Sequence, residues 1–335
     1  MARHDKLLLT SILLSAVSFA FTVLFSALAA AQPIQGLFLS TTSNVSSRYK
    51  LEVTPAGWTS SLWAVTYFWN GLWIIYELFR ICRRTDMDYT SCMPRVHPAI
   101  FFELWILANL LNIGWLFLWD REYFVAALYM ITLLPVVCSV MLSISYKNCF
   151  KHGSWLTINS PLDLWCIRIL VHNGLATYMT WTFFVCLINF GMVLKYDGRV
   201  GDDYISPIVM YLALFGLLFW FLLESFVLDE FVRYTVTIYP VATVALFGIF
   251  LRKGIPTGRL SETDLVIAVV MAVSIVACFL RVILLFLCDK LRPLFQVENY
   301  TSMNKAGRVS EHSFTSEIIE QVSHTDKDIP TDDDI

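Results

Sequence analysis

The sequence predicts an all-α fold, a polytopic membrane bundle of about eight transmembrane helices. Of its 335 residues, 57% are hydrophobic and only 15% are charged, whereas a soluble domain carries about 25% charged residues. Apolar runs near or above the roughly 20 residues that cross a bilayer recur along the chain. No basic patch with interleaved aromatic residues is present, so the composition favours the lipid bilayer as a partner and argues against nucleic acid.

Each expected helix corresponds to one apolar run. The first run begins after a short basic N-terminus and ends in small residues, so it also resembles a secretory signal peptide. It is longer than the about 7–15 residues of a usual signal core, which favours a retained helix. The eight runs lie at residues 7–31, 58–78, 100–119, 123–145, 173–194, 205–228, 234–251 and 265–288.

The loops predict how the bundle is oriented. Arg3 and Lys6 at the N-terminus (residues 1–6) and the basic loops after the second and fourth helices favour a cytosolic location for both termini, although Arg252 and Lys253 fall on the outer side. The first loop is then outside, where Asn44 begins an N-glycosylation acceptor triplet. From residue 289 the chain becomes polar and acidic, which predicts a disordered cytosolic tail over 289–335.

Three of the expected helices carry aromatic and amide side chains on one face. Lipid-facing aromatic belts and interhelical hydrogen bonds are the structural explanations for such faces. The alternative, which we favour, is that the three faces converge on one ligand cavity. By helical spacing the faces comprise Trp63, Tyr67, Asn70 and Gly71 in the second helix, Trp105, Asn112 and Trp115 in the third, and Tyr178, Trp181 and Asn189 in the fifth.

Charged residues within the later helices predict a structural ion pair. Glu224 in the sixth helix and Arg281 in the eighth are expected to meet, because burying either charge alone is costly. Arg281 could instead extend to the lipid headgroups. Exchanging the two charges should restore folding that either single variant loses. Segment 155–172, which precedes the fifth helix, is expected to be amphipathic and to lie at the cytosolic interface.

The sequence offers no catalytic constellation. The six histidines are expected in termini, in loops or near the membrane surfaces, and no His/Cys cluster has metal-ligand spacing. No nucleophile has a neighbouring base at a recognisable spacing. We therefore predict that the protein is not an enzyme and requires no cofactor.

The three aromatic faces resemble the tryptophan-rich sensory protein family, also called the translocator protein or peripheral benzodiazepine receptor family. The second helix is similar to the family pattern W-x3-Y-x3-G that follows a Pro-rich turn, here Pro55. The third helix matches LN-x2-W, and the fifth matches Y-x2-W followed by Asn, although Thr177 stands where the family usually has Pro. The residues that carry the match are Trp63, Tyr67, Gly71, Leu111, Asn112, Trp115, Tyr178, Trp181 and Asn189.

The resemblance implies a five-helix unit at residues 7–196, and three additional helices then occupy 197–288. In this family the pocket opens near the loop between the first two helices and binds porphyrins, sterols or isoquinoline-type drugs. Relatives occur in the mitochondrial outer membrane and elsewhere, but the signal-like start and Asn44 favour a secretory, endosomal or plasma membrane here.

The function expected from the resemblance is binding, sensing or trafficking of a hydrophobic polycyclic ligand such as a tetrapyrrole or a sterol. Stacking on Trp63, Trp115 and Trp181 suits a flat ligand, and the turn at Pro55 would form the rim of the pocket. A transporter or channel for a small solute is the alternative function. A homodimer is a further expectation for the assembly.

Overall fold

The computed structural model describes residues 3–31, 36–86, 94–254, 261–291 and 294, and all regular secondary structure in these ranges is helical. Almost all of the expected tail lies outside these ranges. Eight long helices are present, namely α1 (Arg3–Ala30), α3 (Ser61–Asp86), α4 (Ala99–Asp120), α5 (Phe124–Lys151), α8 (Asn173–Tyr196), α9 (Asp202–Phe226), α11 (Ile238–Lys253) and α12 (Glu262–Leu291). The short helices are α2 (Thr42–Arg48), α6 (Gly153–Asn159), α7 (Pro161–Cys166) and α10 (Asp229–Val232).

Six helical segments in the described ranges are long and apolar enough to cross a membrane, and they correspond to six of the eight expected spans; α3 and α11 form helices at the other two. α11 has 16 residues and spans about 24 Å, short of the roughly 30 Å hydrocarbon core. α3 is long enough, but its aromatic, amide and charged side chains lower its hydropathy. The six segments are Lys6–Ala30, Ala99–Asp120, Phe124–Lys151, Pro161–Tyr196, Asp202–Phe226 and Glu262–Cys288.

α8 is the central helix of the bundle. It packs against α3, α5, α9 and α11, while α4 packs between α1 and α5, and α12 packs against α9 and α11. Gly191 allows α8 to approach its neighbours closely, because a Cβ there would lie 2.8 Å from Leu51 Cδ1 and 3.0 Å from Val209 Cγ2. The buried core is therefore continuous between helices α1–α8 and helices α9–α12.

Segment 155–172 is divided into short helices, and its location at the cytosolic interface stays a prediction. α6, α7 and a π-helical turn (Ile167–His172) lead directly into α8, and the charged residues Asp163 and Arg168 are only 2% and 7% exposed. Asp163 accepts a hydrogen bond of 3.0 Å from the Tyr76 hydroxyl, and the Arg168 guanidinium carbon lies 3.7 Å from the centroid of the Tyr234 ring. The two charges can be buried because these contacts with Tyr76 and Tyr234 replace their interactions with water.

Glu224 and Arg281 lie together inside the bundle. Arg281 Nε is 3.8 Å from Glu224 Oε1, and both residues are at most 1% exposed, so Arg281 does not extend to the surface of the protein. Trp220 Nε1 donates to Glu224 Oε2 at 2.8 Å, and Tyr239 also donates to this carboxylate. Arg281 Nη2 donates to the carbonyl of Val232 at 2.8 Å. The pair therefore links α9 to α12.

Candidate functional site

A cavity of about 740 Å³ lies between α1, α3, α4 and α8, at the end of the bundle that carries α2. This volume falls within the roughly 300–1,000 Å³ of small-molecule sites. The lining is mainly aromatic and aliphatic, with eight hydroxyl-bearing side chains and one amide. Among the described residues that line the cavity, none is Asp, Glu, His, Cys, Lys or Arg.

Six of the ten predicted site residues line this cavity, namely Trp63, Tyr67 and Gly71 on α3, Trp115 on α4, and Trp181 and Asn189 on α8. Trp63 is in contact with the aromatic residues of all three helices. Its ring stacks on Trp115, with centroids 5.5 Å apart and planes at 26°, and it meets Trp181 edge to face at 6.0 Å. The three aromatic faces thus converge, as their spacing indicates.

Asn189 and Trp181 of α8 differ in whether their polar atoms are hydrogen-bonded within the cavity wall. The Asn189 side chain is engaged, because its Oδ1 accepts a 3.3 Å hydrogen bond from Trp115 Nε1 and its Nδ2 donates to the Val185 carbonyl at 2.8 Å. Trp181 Nε1 is buried without a hydrogen-bond partner in the described protein. An unpaired buried N–H is unfavourable, so a rotation of the indole that exposed this N–H to an acceptor in the cavity would be favoured.

A buried polar layer closes the inner end of the cavity. The Tyr67 hydroxyl is hydrogen-bonded to Ser26 Oγ of α1 at 2.8 Å. Asn112 Nδ2 donates to the hydroxyls of Tyr67 at 2.9 Å and Tyr178 at 2.6 Å. Trp105 lies deeper and packs edge to face on Tyr178, with centroids 5.8 Å apart. This layer holds Tyr67 in position beneath the tryptophan cluster.

The remaining four predicted site residues therefore do not line the cavity. Asn112, Tyr178 and Trp105 belong to the layer beneath it, and Asn70 hydrogen-bonds the Thr66 carbonyl at 2.7 Å and accepts from Trp73 at 2.7 Å. A helical face extends along the whole helix, at about 1.5 Å per residue. The cavity occupies only part of that length, so residues on the correct face can lie below it.

Sequence reasoning missed several parts of the wall. Trp119 lies four residues after Trp115 on the same helical face, as its spacing predicts, but it was not among the ten predicted site residues. Phe19 and Ser26 come from α1, which has no aromatic and amide face, and Ile249 comes from α11, outside the aligned motifs. Thr42, Ser43 and Ser46 of α2 also line the mouth, and the neighbouring Asn44 is exposed. Glycosylation of Asn44 stays a prediction.

The rim expected at Pro55 is formed by Pro55, Ala56 and Gly57. α11 holds this segment in place, because the Ala56 amide donates to the Gly248 carbonyl at 3.0 Å. Arg252 Nη1 donates to the Pro55 carbonyl, also at 3.0 Å. The additional helices thus contact the mouth of the cavity directly.

Lys253 ties the segment before the rim to two helices. Its Nζ lies 3.0 Å from a carboxylate oxygen of Glu52 and 2.8 Å from one of Asp264 on α12. Partial burial lowers the pKa of Lys253, but hydrogen bonds to Asp264 and Glu52 outweigh this effect, and the pKa is raised. The lysine therefore stays charged between the two carboxylates. We call Glu52, Lys253 and Asp264 the rim clamp.

The cavity also reaches the outer surface between α1 and α3. Val23 of α1 and Phe68 and Ile75 of α3 line it and are at the same time exposed, by 37%, 71% and 50%. In a membrane protein this surface faces lipid. We call this apolar, exposed part of the cavity lining between α1 and α3 the side opening.

Two histidines that were expected in a loop or near a membrane surface are also buried in the protein. His97, in the turn before α4, and His172, at the end of the π-helical turn, are each 3% exposed. Both contact Ser145 of α5. Among the described residues no group of three or more His, Cys, Asp or Glu side chains is placed to hold a metal ion.

Comparison with known proteins gives one family assignment. The family model described as TSPO-like protein matches residues 12–285. The match includes α9, α11 and most of α12, so it extends well beyond residues 7–196, on which the motif resemblance rests. Searches of curated proteins and of solved structures found no match.

Proposed function

Because the chain belongs to the TSPO-like protein family, we propose that this multi-pass membrane protein binds a hydrophobic polycyclic ligand in the cavity between α1, α3, α4 and α8. The observation that carries the proposal is the meeting of Trp63, Trp115 and Trp181 at an open cavity of about 740 Å³. Indole faces stack on flat ring systems, so a tetrapyrrole or the fused rings of a sterol suits this wall.

The polar groups of the cavity predict how the ligand is oriented. Asn189 is already hydrogen-bonded within the wall, whereas Trp181 Nε1 has a proton to donate. A ligand with one carbonyl, carboxylate or hydroxyl oxygen near its ring system would accept that hydrogen bond once the indole turns its N–H toward the cavity. The remainder of the ligand would contact apolar surface.

The side opening supports entry of the ligand from the bilayer. A polycyclic apolar compound concentrates in the hydrocarbon phase, and Val23, Phe68 and Ile75 connect that phase to the cavity. Entry through this opening avoids transfer of the ligand through water. The ligand is thus expected to exchange laterally between the lipid and the protein.

The composition of the cavity wall favours a binding protein over an enzyme and over a transporter. Catalysis by proton transfer needs a titratable group with a suitable pKa next to the substrate, and solute transport usually places charged residues along the path. The described wall contains tyrosine as its one titratable residue type. This supports a binding, sensing or trafficking role.

Two variants test the site in full-length protein reconstituted in lipid nanodiscs. Trp181→Phe keeps an aromatic ring but removes the N–H, and should weaken a porphyrin or a fluorescent sterol about two- to tenfold. Trp63→Ala removes the shared stacking partner and should weaken binding about tenfold or more. Quenching of ligand or tryptophan fluorescence measures both affinities.

Phe79→Ala is the matched control, because Phe79 lies on α3 but is 70% exposed and does not line the cavity. It should leave affinity unchanged. Unchanged affinity for both probes in Trp63→Ala and Trp181→Phe would remove the assignment of the cavity. Flux of a small polar solute across the membrane of proteoliposomes would instead favour the transporter alternative.

A further inference from the structure

A chain of four hydrogen-bonded side chains crosses the bundle beyond the inner end of the ligand cavity. His97 Nδ1 is 2.8 Å from Glu77 Oε1, and His97 Nε2 is 2.9 Å from Ser145 Oγ. Ser145 Oγ is in turn 2.9 Å from His172 Nε2. All four residues are at most 4% exposed. The chain joins α3, the turn before α4, α5 and the π-helical turn.

We propose that Glu77, His97, Ser145 and His172 form a proton-binding relay, in which one added proton changes the protonation of His97 and the tautomer of His172 together. The proposal concerns a site separate from the ligand cavity and does not depend on the proposed function. The argument rests on the direction that each hydrogen bond in the chain must take.

With His97 neutral, every bond in the chain has one allowed direction. Arg80 Nη1 lies 3.1 and 3.2 Å from the two Glu77 oxygens, which holds Glu77 as a carboxylate that can only accept. His97 must then carry its proton on Nδ1, so its Nε2 accepts from the Ser145 hydroxyl. The Ser145 oxygen is left to accept from His172 Nε2–H.

A proton bound by His97 reverses the other two bonds. Protonated His97 donates from both nitrogens, so Ser145 Oγ accepts from His97 and turns its own hydrogen toward His172 Nε2. The protons balance when His172 takes up the added proton at Nδ1 and passes its Nε2 hydrogen to Ser145, which passes its own hydrogen to His97 Nε2; His172 is then left with its proton on Nδ1. In this state Ser145 can take the proton of His97 Nε2 while it passes its own to His172, and no other bond changes.

Water can reach the Glu77 end of the chain. A hollow of about 20 Å³ is lined by Glu77, Arg80, Arg95 and His97, together with apolar residues of α1 and α3. Such a volume holds about one water molecule among polar partners. It is too small for an acyl substrate, and Ser145 is fully buried, so the Ser–His–Glu arrangement does not serve a nucleophilic serine here.

The backbone supplies a second, independent observation. His172 is the last residue of the π-helical turn Ile167–His172, and π-helical turns are rare and concentrate at functional sites. Asn173 stabilises this turn, because its Nδ2 donates to the carbonyls of Arg168 at 2.8 Å and Tyr234 at 2.9 Å. Its Oδ1 accepts from the Val236 amide at 2.9 Å.

The charged surroundings favour His97 as the residue that holds the proton. His97 contacts the Glu77 carboxylate directly, whereas Arg168 lies near His172 and opposes a positive charge there. The ring of Tyr146 also packs on His172, with centroids 4.5 Å apart. The titratable and charged groups around the relay are Tyr76, Arg80, Arg95, Tyr146, Cys149, Asp163 and Arg168.

Nitrogen NMR of the full chain tests the relay. Protein labelled with ¹⁵N in its histidine rings and held in nanodiscs is titrated from about pH 8 to about pH 5, the range in which imidazoles change charge. We expect His97 to gain a second ring proton, and His172 to change from Nε2–H to Nδ1–H over the same interval. His97→Gln and His172→Gln assign the signals.

Three further variants separate a relay from a static network. Ser145→Ala should leave His172 unresponsive to the titration of His97, whereas Ser145→Thr, which keeps a hydroxyl, should preserve the coupled change. His152→Gln is the control, since His152 lies outside the chain, between α5 and α6. The proposal is overturned if neither wild-type ring changes state in this range, or if the two rings change together in Ser145→Ala.

Discussion

Gly248 is one of the residues through which α11 contacts the cavity rim. Its carbonyl accepts from the Ala56 amide at 3.0 Å, and a Cβ on Gly248 would overlap Thr59 Cγ2. Thr59 cannot simply turn away, because its hydroxyl donates to the Ala56 carbonyl at 2.7 Å. The absence of a side chain at 248 therefore permits α11 to hold the rim.

Gly248→Ala should destabilise the protein by about 1–3 kcal/mol, as expected for overpacking of a close contact, and should lower its thermal unfolding midpoint in detergent. Thr59→Ser removes Cγ2 but keeps the hydroxyl, so the double variant should regain most of the lost stability. Gly114→Ala serves as the control, because a Cβ there would lie 3.6 Å from Met130 Sδ, an ordinary contact. Equal stability of Gly248→Ala and wild type would contradict the close approach.

At the scale of elements, the rim clamp joins the first loop to α11 and α12. Lys253→Met would remove the cation that lies 3.0 Å from Glu52 and 2.8 Å from Asp264, leaving two carboxylates that repel each other. Because the clamp is partly exposed, its contribution is about 1 kcal/mol or less. We therefore expect the bound ligand to dissociate up to about fivefold faster, as measured by stopped-flow fluorescence.

Lys50→Met is the matched control for this change. Lys50 is an exposed lysine of the same loop, so the variant has the same net charge as Lys253→Met without loss of the clamp. High salt should reduce the difference between wild type and Lys253→Met, since partly exposed ion pairs are screened. A rate change of equal size in both variants would show that net charge, and not the clamp, is responsible.

Predictability from sequence differs between the two sites. The residues Trp63, Trp115 and Trp181 follow from helical spacing, because each face is a local pattern within one helix. Trp105 and Asn112 lie below the cavity because the cavity does not extend that far along the helices. Helical spacing predicts the face on which a residue lies but not the depth of the cavity. The proton relay joins His97 to Ser145 across 48 residues and Ser145 to His172 across 27, so no local spacing indicates it.

At the scale of the whole molecule, the pair Glu224 and Arg281 links α9 to α12 in an asymmetric environment. Trp220 and Tyr239 donate hydrogen bonds to position 224, and the Val232 carbonyl accepts one from position 281. After exchange of the charges, an arginine would face donors and a carboxylate would face a carbonyl. The charge-exchange rescue expected from sequence is therefore no longer expected.

Arg281→Met should cost about 3–5 kcal/mol, because it leaves the Glu224 charge buried without its partner. The double variant Glu224→Gln with Arg281→Met should recover part of that loss, since the amide oxygen of Gln can still accept from Trp220. The exchange Glu224→Arg with Arg281→Glu should not recover stability. Denaturation in detergent ranks the variants, and full recovery by the exchanged pair would contradict the asymmetric environment.

Composition and apolar runs sufficed to predict a multi-pass helical protein, since lipid imposes helices on apolar segments. Two of the eight expected helices differ from the other six, because α11 has only 16 residues and α3 carries amide and charged side chains. In segment 155–172 the sequence did not predict that the two charged side chains are buried. From the sequence, Asp163 and Arg168 were expected to be exposed. In the structure, contacts with Tyr76 and Tyr234 replace their hydration.

The π-helical turn also determines the rotational phase of the 36-residue segment Pro161–Tyr196. In an uninterrupted α-helix Asp163 and Trp181 would be separated by five full turns of about 3.6 residues and would point in one direction. The π-helical turn contains one more residue than an α-helical turn. The two halves are therefore rotated by about 100° relative to their positions in an uninterrupted α-helix. Removing a single residue from Ile167–His172 would bring the halves back into phase, and either the Tyr76 contact of Asp163 or the place of Trp181 in the cavity wall would be lost. The segment therefore does not tolerate the loss of a single residue in the π-helical turn without loss of one of these two contacts.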